Sequence, residues 1–246
     1  CMMCLDCVRA CPHDNVGLIA RRPGAELLRA DAFPHRWDLA FLLIFLSFMG
    51  LINAFGMVAP VYDLMQGLAD ALYLPSLGWS DSAIEAVVLL IIFGVGSVAL
   101  PLVLTFAAAE LVRRFTRTVK RDSLRITVTS FAPAFVPIGL GFWAAHYGFH
   151  FLIGFLTIIP VFQNFLLDHG IALLGEPNWA LGGIENMALI GMIQTFALLG
   201  GFVGSLYIAQ RVALRLYGRD GMLGLLPWAL LFLGMLAAGM WLFSLP

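Results

Sequence analysis

AVVLLIIFGVGSVALPLVLTFAAA, residues 86–109, decides the fold, because it runs for 24 residues without a charged side chain. Glu85 precedes the stretch and Glu110 follows it. A helix needs about 20 predominantly apolar residues to cross the hydrocarbon core of a bilayer. The stretch is therefore long enough to span a membrane, and it is too evenly apolar for a helix with one face in water.

Four other stretches share this character, and they begin and end near residues 39–60, 126–148, 188–209 and 222–245. The whole chain is 61% hydrophobic and 12% charged, whereas a soluble domain is about half apolar and a quarter charged. We therefore expect an all-α integral membrane protein with about five transmembrane helices, for which the lipid bilayer is the main partner. The net charge of -1 argues against a nucleic-acid partner.

The third apolar run is unusual, because it continues from residue 126 to residue 167 and could hold two helices. Two crossings there would place Arg211, Arg215 and Arg219 on the other side of the membrane from all remaining basic residues. One crossing, followed by an interfacial or re-entrant segment, fits the charges better. Pro133 and Pro137 predict a kink in this helix.

The basic residues are divided strictly between the connecting segments. All 14 precede the first span, lie between the second and third, or lie between the fourth and fifth: Arg9, Arg21, Arg22, Arg29, Arg36, Arg113, Arg114, Arg117, Lys120, Arg121, Arg125, Arg211, Arg215 and Arg219. The other two loops contain acidic residues and no basic ones. Because positively charged loops stay in the cytoplasm, we expect a multi-pass chain with a cytoplasmic N-terminus.

The first twelve residues contain a metal-binding motif. Cys1, Cys4, Cys7 and Cys11, followed by Pro12, form the pattern C-x2-C-x2-C-x3-C-P. Iron binds thiolate sulfur, and two-residue spacings let successive thiolates reach the corners of one 4Fe–4S cluster. Zinc sites use cysteine pairs that are separated by a longer loop. Since no cysteine lies elsewhere in the chain, a long-range disulfide is excluded.

The fourth cysteine leaves the number of clusters open. In two-cluster ferredoxins the last cysteine of such a run binds the other cluster. Cys1, Cys4 and Cys7 would then need a fourth ligand, and Cys11 would serve a second cluster whose other ligands lie outside this chain. We therefore expect one or two clusters and an N-terminally truncated chain. Residues 1–36 form a partial ferredoxin-type segment and linker, and residues 37–246 form the transmembrane domain.

The motif CMMCLDCVRACP, joined to several membrane spans, resembles the membrane-bound polyferredoxin proteins of bacteria, which include the NapH, CcoG and NosR types. The resemblance is specific over residues 1–12 and architectural over the rest. It implies 4Fe–4S binding by Cys1, Cys4, Cys7 and Cys11, and a role in respiratory electron transfer or metalloenzyme maturation. It also implies a location in a bacterial cytoplasmic (inner) membrane, with the iron–sulfur segment in the cytoplasm. Such a protein receives electrons from a cytoplasmic donor and passes them to a membrane or outer-side redox partner.

Two functions follow from this resemblance. We expect a membrane-anchored electron-transfer protein or subunit rather than a stand-alone enzyme, because no phosphate loop, nucleotide fingerprint or nucleophile elbow is present. The alternative is a maturation or redox-sensing membrane subunit for another metalloenzyme. A transporter is less favoured, because the spans carry essentially no charged residues.

A second candidate site lies in the third span. His146 and His150 are four residues apart and share one helix face, so their imidazoles could bind one metal ion. His169 could complete a copper or zinc site, or the histidines could flank a quinol pocket. The alternative is that these histidines and Tyr147 simply lie at the membrane interface. A haem with two histidine ligands is not expected, because no other predicted span contains a histidine.

Small and polar residues within the spans predict packing roles. We expect close helix contacts at Gly94, Gly96, Gly191, Gly200, Gly201 and Gly204. Asn53, Glu185, Asn186 and Gln194 are expected to hydrogen-bond neighbouring helices or water rather than to do chemistry.

Overall fold

The structure, a computed structural model, describes residues 5–13, 17, 22–28, 35–116 and 123–245. Every regular element in these ranges is helical. The helices are α1 (Asp6–Ala10), α2 (Trp37–Phe55), α3 (Pro60–Ala71), α4 (Asp81–Gly94), α5 (Leu100–Phe115), α6 (Leu124–Phe131), α7 (Phe135–Gly154), α8 (Ile158–Asp168), α9 (Met187–Tyr217) and α10 (Gly221–Phe243).

Within the described ranges, four helical stretches are long and apolar enough to cross a membrane: Trp37–Phe55, Asp81–Phe115, Leu124–Asp168 and Met187–Phe243. The last stretch contains two helices, α9 and α10, which pack side by side after the chain reverses at Gly218 (φ +53°). The predicted fourth and fifth spans therefore fall in α9 and α10. The prediction of an all-helical fold is confirmed for the described residues, and the length and composition of these helices are consistent with a multi-pass membrane protein.

The predicted boundaries need correction at the first two spans. The first was placed at 39–60, but α2 ends at Phe55 and a separate amphipathic helix, α3, begins at Pro60. Proline lacks an N–H and suits the first turn of a helix, so it separates the two. The second was placed at 86–109, but α4 and α5 form one stretch of 35 residues. A π-turn at Val95–Ala99 joins them just before Pro101, where the N–H is also missing.

The long third stretch bends twice. A 3₁₀ turn at Ala132–Ala134 surrounds Pro133, as predicted, and a second turn at Phe155–Thr157 separates α7 from α8. Only Pro160 of α8 is buried, and its apolar side chains are largely exposed. The following loop returns to the end of α7, where Ile184 N–H donates to Leu152 O over 2.8 Å. This arrangement agrees with one crossing followed by a segment outside the bundle.

Helix α7 lies at the centre of the bundle and packs against α2, α9 and α10. Its neighbours α2 and α10 run parallel to it, and α9 runs antiparallel. The core between them is aromatic: the buried ring of Trp228 stacks on Phe131 at 4.7 Å between centroids, and Phe232 meets Phe135 edge to face at 5.0 Å. Such rings bury large apolar areas, so this cluster contributes strongly to bundle stability.

The α7–α9 contact brings the two backbones together. A Cβ added at Gly141 would lie 2.8 Å from Ala197 O, and one added at Gly201 would lie 2.6 Å from Pro137 O. Only glycine fits at both positions, which is the small-residue packing typical of membrane helices. The prediction of close contact is confirmed at Gly201.

Two serine hydroxyls satisfy backbone groups beside the proline kink of α7. Ser205 Oγ of α9 accepts the Ile138 N–H over 3.0 Å. Ser47 Oγ of α2 donates to Phe135 O over 2.9 Å and to Leu43 O of its own helix over 2.8 Å. Hydroxyls from neighbouring helices thus add hydrogen bonds to the backbone beside the kink, where hydrocarbon supplies none.

The two ends of the bundle differ in charge. One end, the basic end, carries the described arginines of the helical domain: Arg36, Arg113, Arg114, Arg125, Arg211, Arg215 and Arg219. The opposite end, the acidic end, carries Asp63, Asp70, Asp81, Glu85, Asp168, Glu176 and Glu185, and the sequence places no Lys or Arg there. The antiparallel order of the helices therefore gathers at one end the charges that the sequence separates into three segments.

Two adjacent glycines test the α7–α9 contact. In a helix, replacement of glycine by alanine favours the folded state by about 1 kcal/mol at either position. Gly200 has open space around its Cβ position, so Gly200→Ala should keep or raise the melting temperature. Gly201→Ala should lower it, because a methyl group against a rigid backbone costs about 1–3 kcal/mol. Melting of both variants in detergent checks this, and equal melting temperatures would contradict the assigned contact.

Candidate cysteine and histidine sites

The described part of the cysteine motif is a single helical turn. Leu5 adopts a left-handed conformation (φ +60°), and α1 follows it. Cys7 lies in α1 and is exposed, and Cys11 follows the last residue of α1 and is half-buried. Cys1 and Cys4 lie outside the described residues. The four-residue separation of Cys7 and Cys11 places both on the same side of the turn.

The donor chemistry of this segment fits an iron–sulfur cluster. Thiolates are the ligands that such clusters use, and no side chain of α1 is buried, so Cys7 can meet a surface-bound cluster. Within the described ranges, no group of three or more His, Cys, Asp or Glu residues could hold a metal ion. Cys1 and Cys4 lie outside those ranges. Cluster binding and a ferredoxin-like fold of residues 1–36 therefore remain predictions.

The linker after the motif is tied to the basic end of the bundle. His35 Nδ1 lies 3.0 Å from Thr129 Oγ1. The Thr129 hydroxyl donates to Arg125 O over 2.7 Å, so we assign the proton of this contact to His35 Nδ1. Arg125 Nη2 in turn donates to His35 O over 3.1 Å. Sequence reasoning missed this role of His35, because its partners lie 94 and 90 residues away.

His146 and His150 meet at the acidic end. Their ring centres are 5.0 Å apart and their planes are inclined at 81°. His146 is only 7% exposed, and His150, one turn further along α7, is exposed. Tyr147 contacts His146 edge to face at 4.9 Å and stacks on Trp143. The structure thus confirms that the two histidines share a face, and it buries one of them.

A cavity of about 230 Å³ opens beside the two imidazoles. Its walls come from α7, the end of α2, the start of α9 and the end of α10, and they are mostly apolar. The third polar side chain in the wall is Gln194, which is 8% exposed and donates to Ala145 O over 3.2 Å. The sequence predicts a packing role for Gln194, and the hydrogen bond from its Nε2 to α7 agrees with that role. The position of Gln194 at the histidine cavity was not predicted.

His169 is not brought to the histidine pair. Its Nδ1 lies 2.7 Å from Phe165 O in the preceding turn of α8, and its ring packs on the Phe165 ring at 4.3 Å. The cavity wall does not include it. The expectation that His169 completes a site with His146 and His150 therefore has no support in the fold, because α8 turns away from the bundle after Phe155–Thr157.

Comparison with protein-family models, with curated proteins and with solved structures gave no match for this chain. The likeness to polyferredoxins therefore depends on residues 1–12 and on the helical architecture alone.

Removal of the His35 ring should loosen the linker. His35→Ala deletes one hydrogen bond, which is worth about 0.5–1.5 kcal/mol. We expect tryptic cleavage after the exposed Arg36 in the folded, detergent-solubilised protein to become about two- to twelvefold faster, since 1.4 kcal/mol corresponds to tenfold. The matched control is His13→Ala, which removes an exposed imidazole on the other side of the linker. Equal cleavage rates for the three proteins would contradict the anchoring role.

Proposed function

We propose that this chain is a membrane-anchored 4Fe–4S electron-transfer protein of a respiratory or redox chain. The observation that carries the proposal is a four-cysteine motif attached, through a linker tied down by His35, to the basic end of a bundle of membrane-length helices. Cluster-binding cysteines beside a membrane favour electron exchange between a soluble donor and a membrane partner.

In this proposal the chain crosses the membrane five times. The crossings are α2, then α4 with α5, then α6 with α7, then α9, and finally α10. The basic end faces the cytoplasm of a bacterium, because positively charged loops are retained there. The cysteine motif is then cytoplasmic, and α3, α8 and the histidine cavity lie towards the outer side.

The thiolates of Cys1, Cys4, Cys7 and Cys11 are the residues that hold one cluster or share two. The cluster, when bound, supplies one-electron transfer without acid–base groups. The chain positions it: α1 is exposed on all sides, and the exposed apolar side chains of Leu5 and Val8 lie beside Cys7. This uncovered surface suits transient docking of a cytoplasmic electron donor, because small, weakly held interfaces are typical of redox partners.

Iron binding tests the proposal directly. Purified protein that is reconstituted anaerobically should contain iron and sulfide, and after reduction it should show the EPR signals of 4Fe–4S centres. Cys4→Ser and Cys7→Ser should each abolish or strongly reduce the signals, because serine does not replace a thiolate on this cluster. His13→Ala, which alters the same segment without removing a thiolate, is the control. Zinc in place of iron under these conditions would refute the electron-carrier function.

The orientation has its own test. In a background with all cysteines changed to serine, one variant retains Cys7 and another carries Leu173→Cys. Leu173 is 81% exposed in the loop at the acidic end. A membrane-impermeant maleimide should label Cys7 in inside-out vesicles and the cysteine at position 173 in right-side-out vesicles. Labelling of both positions from the same side would contradict the proposed topology.

A further inference from the structure

We propose that His146 and His150 bind one transition-metal ion of the class that prefers imidazole ligands, such as Zn²⁺, Cu²⁺ or Co²⁺. The site lies at the acidic end, in the cavity bordered by Gln194. It uses none of the cysteines, so it is independent of the iron–sulfur proposal.

The spacing of the two rings matches a shared ion. Imidazole nitrogens bind such ions at about 2.0–2.1 Å, which puts each ring centre about 3.2 Å from the metal. If the angle between the two nitrogen–metal bonds lies between the square-planar and the tetrahedral value, the two ring centres are about 4.5–5.2 Å apart. The observed separation of 5.0 Å lies within this range. The i, i+4 spacing on α7 is the one that lets two histidines of a helix ligate a single ion.

The burial of His146 gives a second, independent observation. The residue is only 7% exposed, and none of the hydrogen bonds between described residues involves its ring or that of His150. Among the described residues, the fully buried polar atoms that lack a partner do not include these ring nitrogens, so they stay accessible from the cavity. The imidazoles are therefore uncommitted to protein partners and can bind an ion that enters the cavity. Gln194 Oε1, which accepts no hydrogen bond from the described residues, could hold an ion-bound water.

The surroundings favour a cation. The cavity of about 230 Å³ has room for several waters, which can occupy the coordination positions that the histidines leave open. No Lys or Arg lies at this end in the sequence, and seven carboxylates do: Asp63, Asp70, Asp81, Glu85, Asp168, Glu176 and Glu185. A surface whose charges are all negative raises the local concentration of cations, so cations gather at this end.

Cobalt binding tests the proposal. The full-length chain is used in detergent, without a polyhistidine tag and with all four cysteines changed to serine, so that only histidine sites remain. Titration with Co²⁺ should show visible ligand-field bands that saturate at one ion per chain. His146→Gln and His150→Gln should each weaken binding by at least about tenfold, because even outer ligands contribute 10- to 100-fold.

The control variant is His169→Gln, which alters an exposed histidine at the same end and should bind Co²⁺ as tightly as its parent. His150 is exposed, so His150→Gln should keep the parent melting temperature and remains informative if His146→Gln misfolds. Absence of saturable Co²⁺ binding, unchanged affinity in His150→Gln, or equal loss in His169→Gln would overturn the proposal. Competition of Co²⁺ binding by Zn²⁺ supports it.

Discussion

The close approach of α7 and α9 is the contact on which the rest of the bundle depends. Gly141 and Gly201 let the two backbones touch, and hydrocarbon offers no hydrophobic driving force to replace that contact. The same approach puts Ser205 within reach of the Ile138 N–H and puts Gln194 beside His146. Helix α10 then packs along both helices and closes the aromatic core around Trp228.

This arrangement separates two kinds of chemistry along the continuous stretch formed by α6 and α7. His35 ties the cysteine-bearing linker to Thr129 at the basic end, and His146 lies 17 residues further along the chain. At 1.5 Å per residue these anchors are about 26 Å apart, which is close to the thickness of the hydrocarbon core. In the proposed topology the cluster and the metal ion would lie at opposite sides of the membrane, and they can be tested separately.

The glycines show which helix contacts could be predicted from the sequence and which could not. Close contacts were predicted at Gly96, Gly201 and Gly204, and the structure confirms all three. Gly94, Gly191 and Gly200 were predicted on the same grounds but have open space around them. Several further contacts were missed, among them those of Gly139 against Ser47, Gly141 against Ala197 and Gly239 against Phe142. Spacing identifies small residues on a helix, but it does not say which face a neighbour covers.

The sequence by itself determined the helical class, the division of charges between loops, the kink near Pro133 and the cysteine motif. These depend on local properties: the length of an apolar run, the missing N–H of proline, and thiolates within a few residues. Only the tertiary structure decided that His35 anchors the linker, that Gln194 joins His146 and His150, and that His169 stays apart. Each of these depends on which helices are neighbours, and uniformly apolar helices carry little information about their partners because lipid and protein solvate them almost equally.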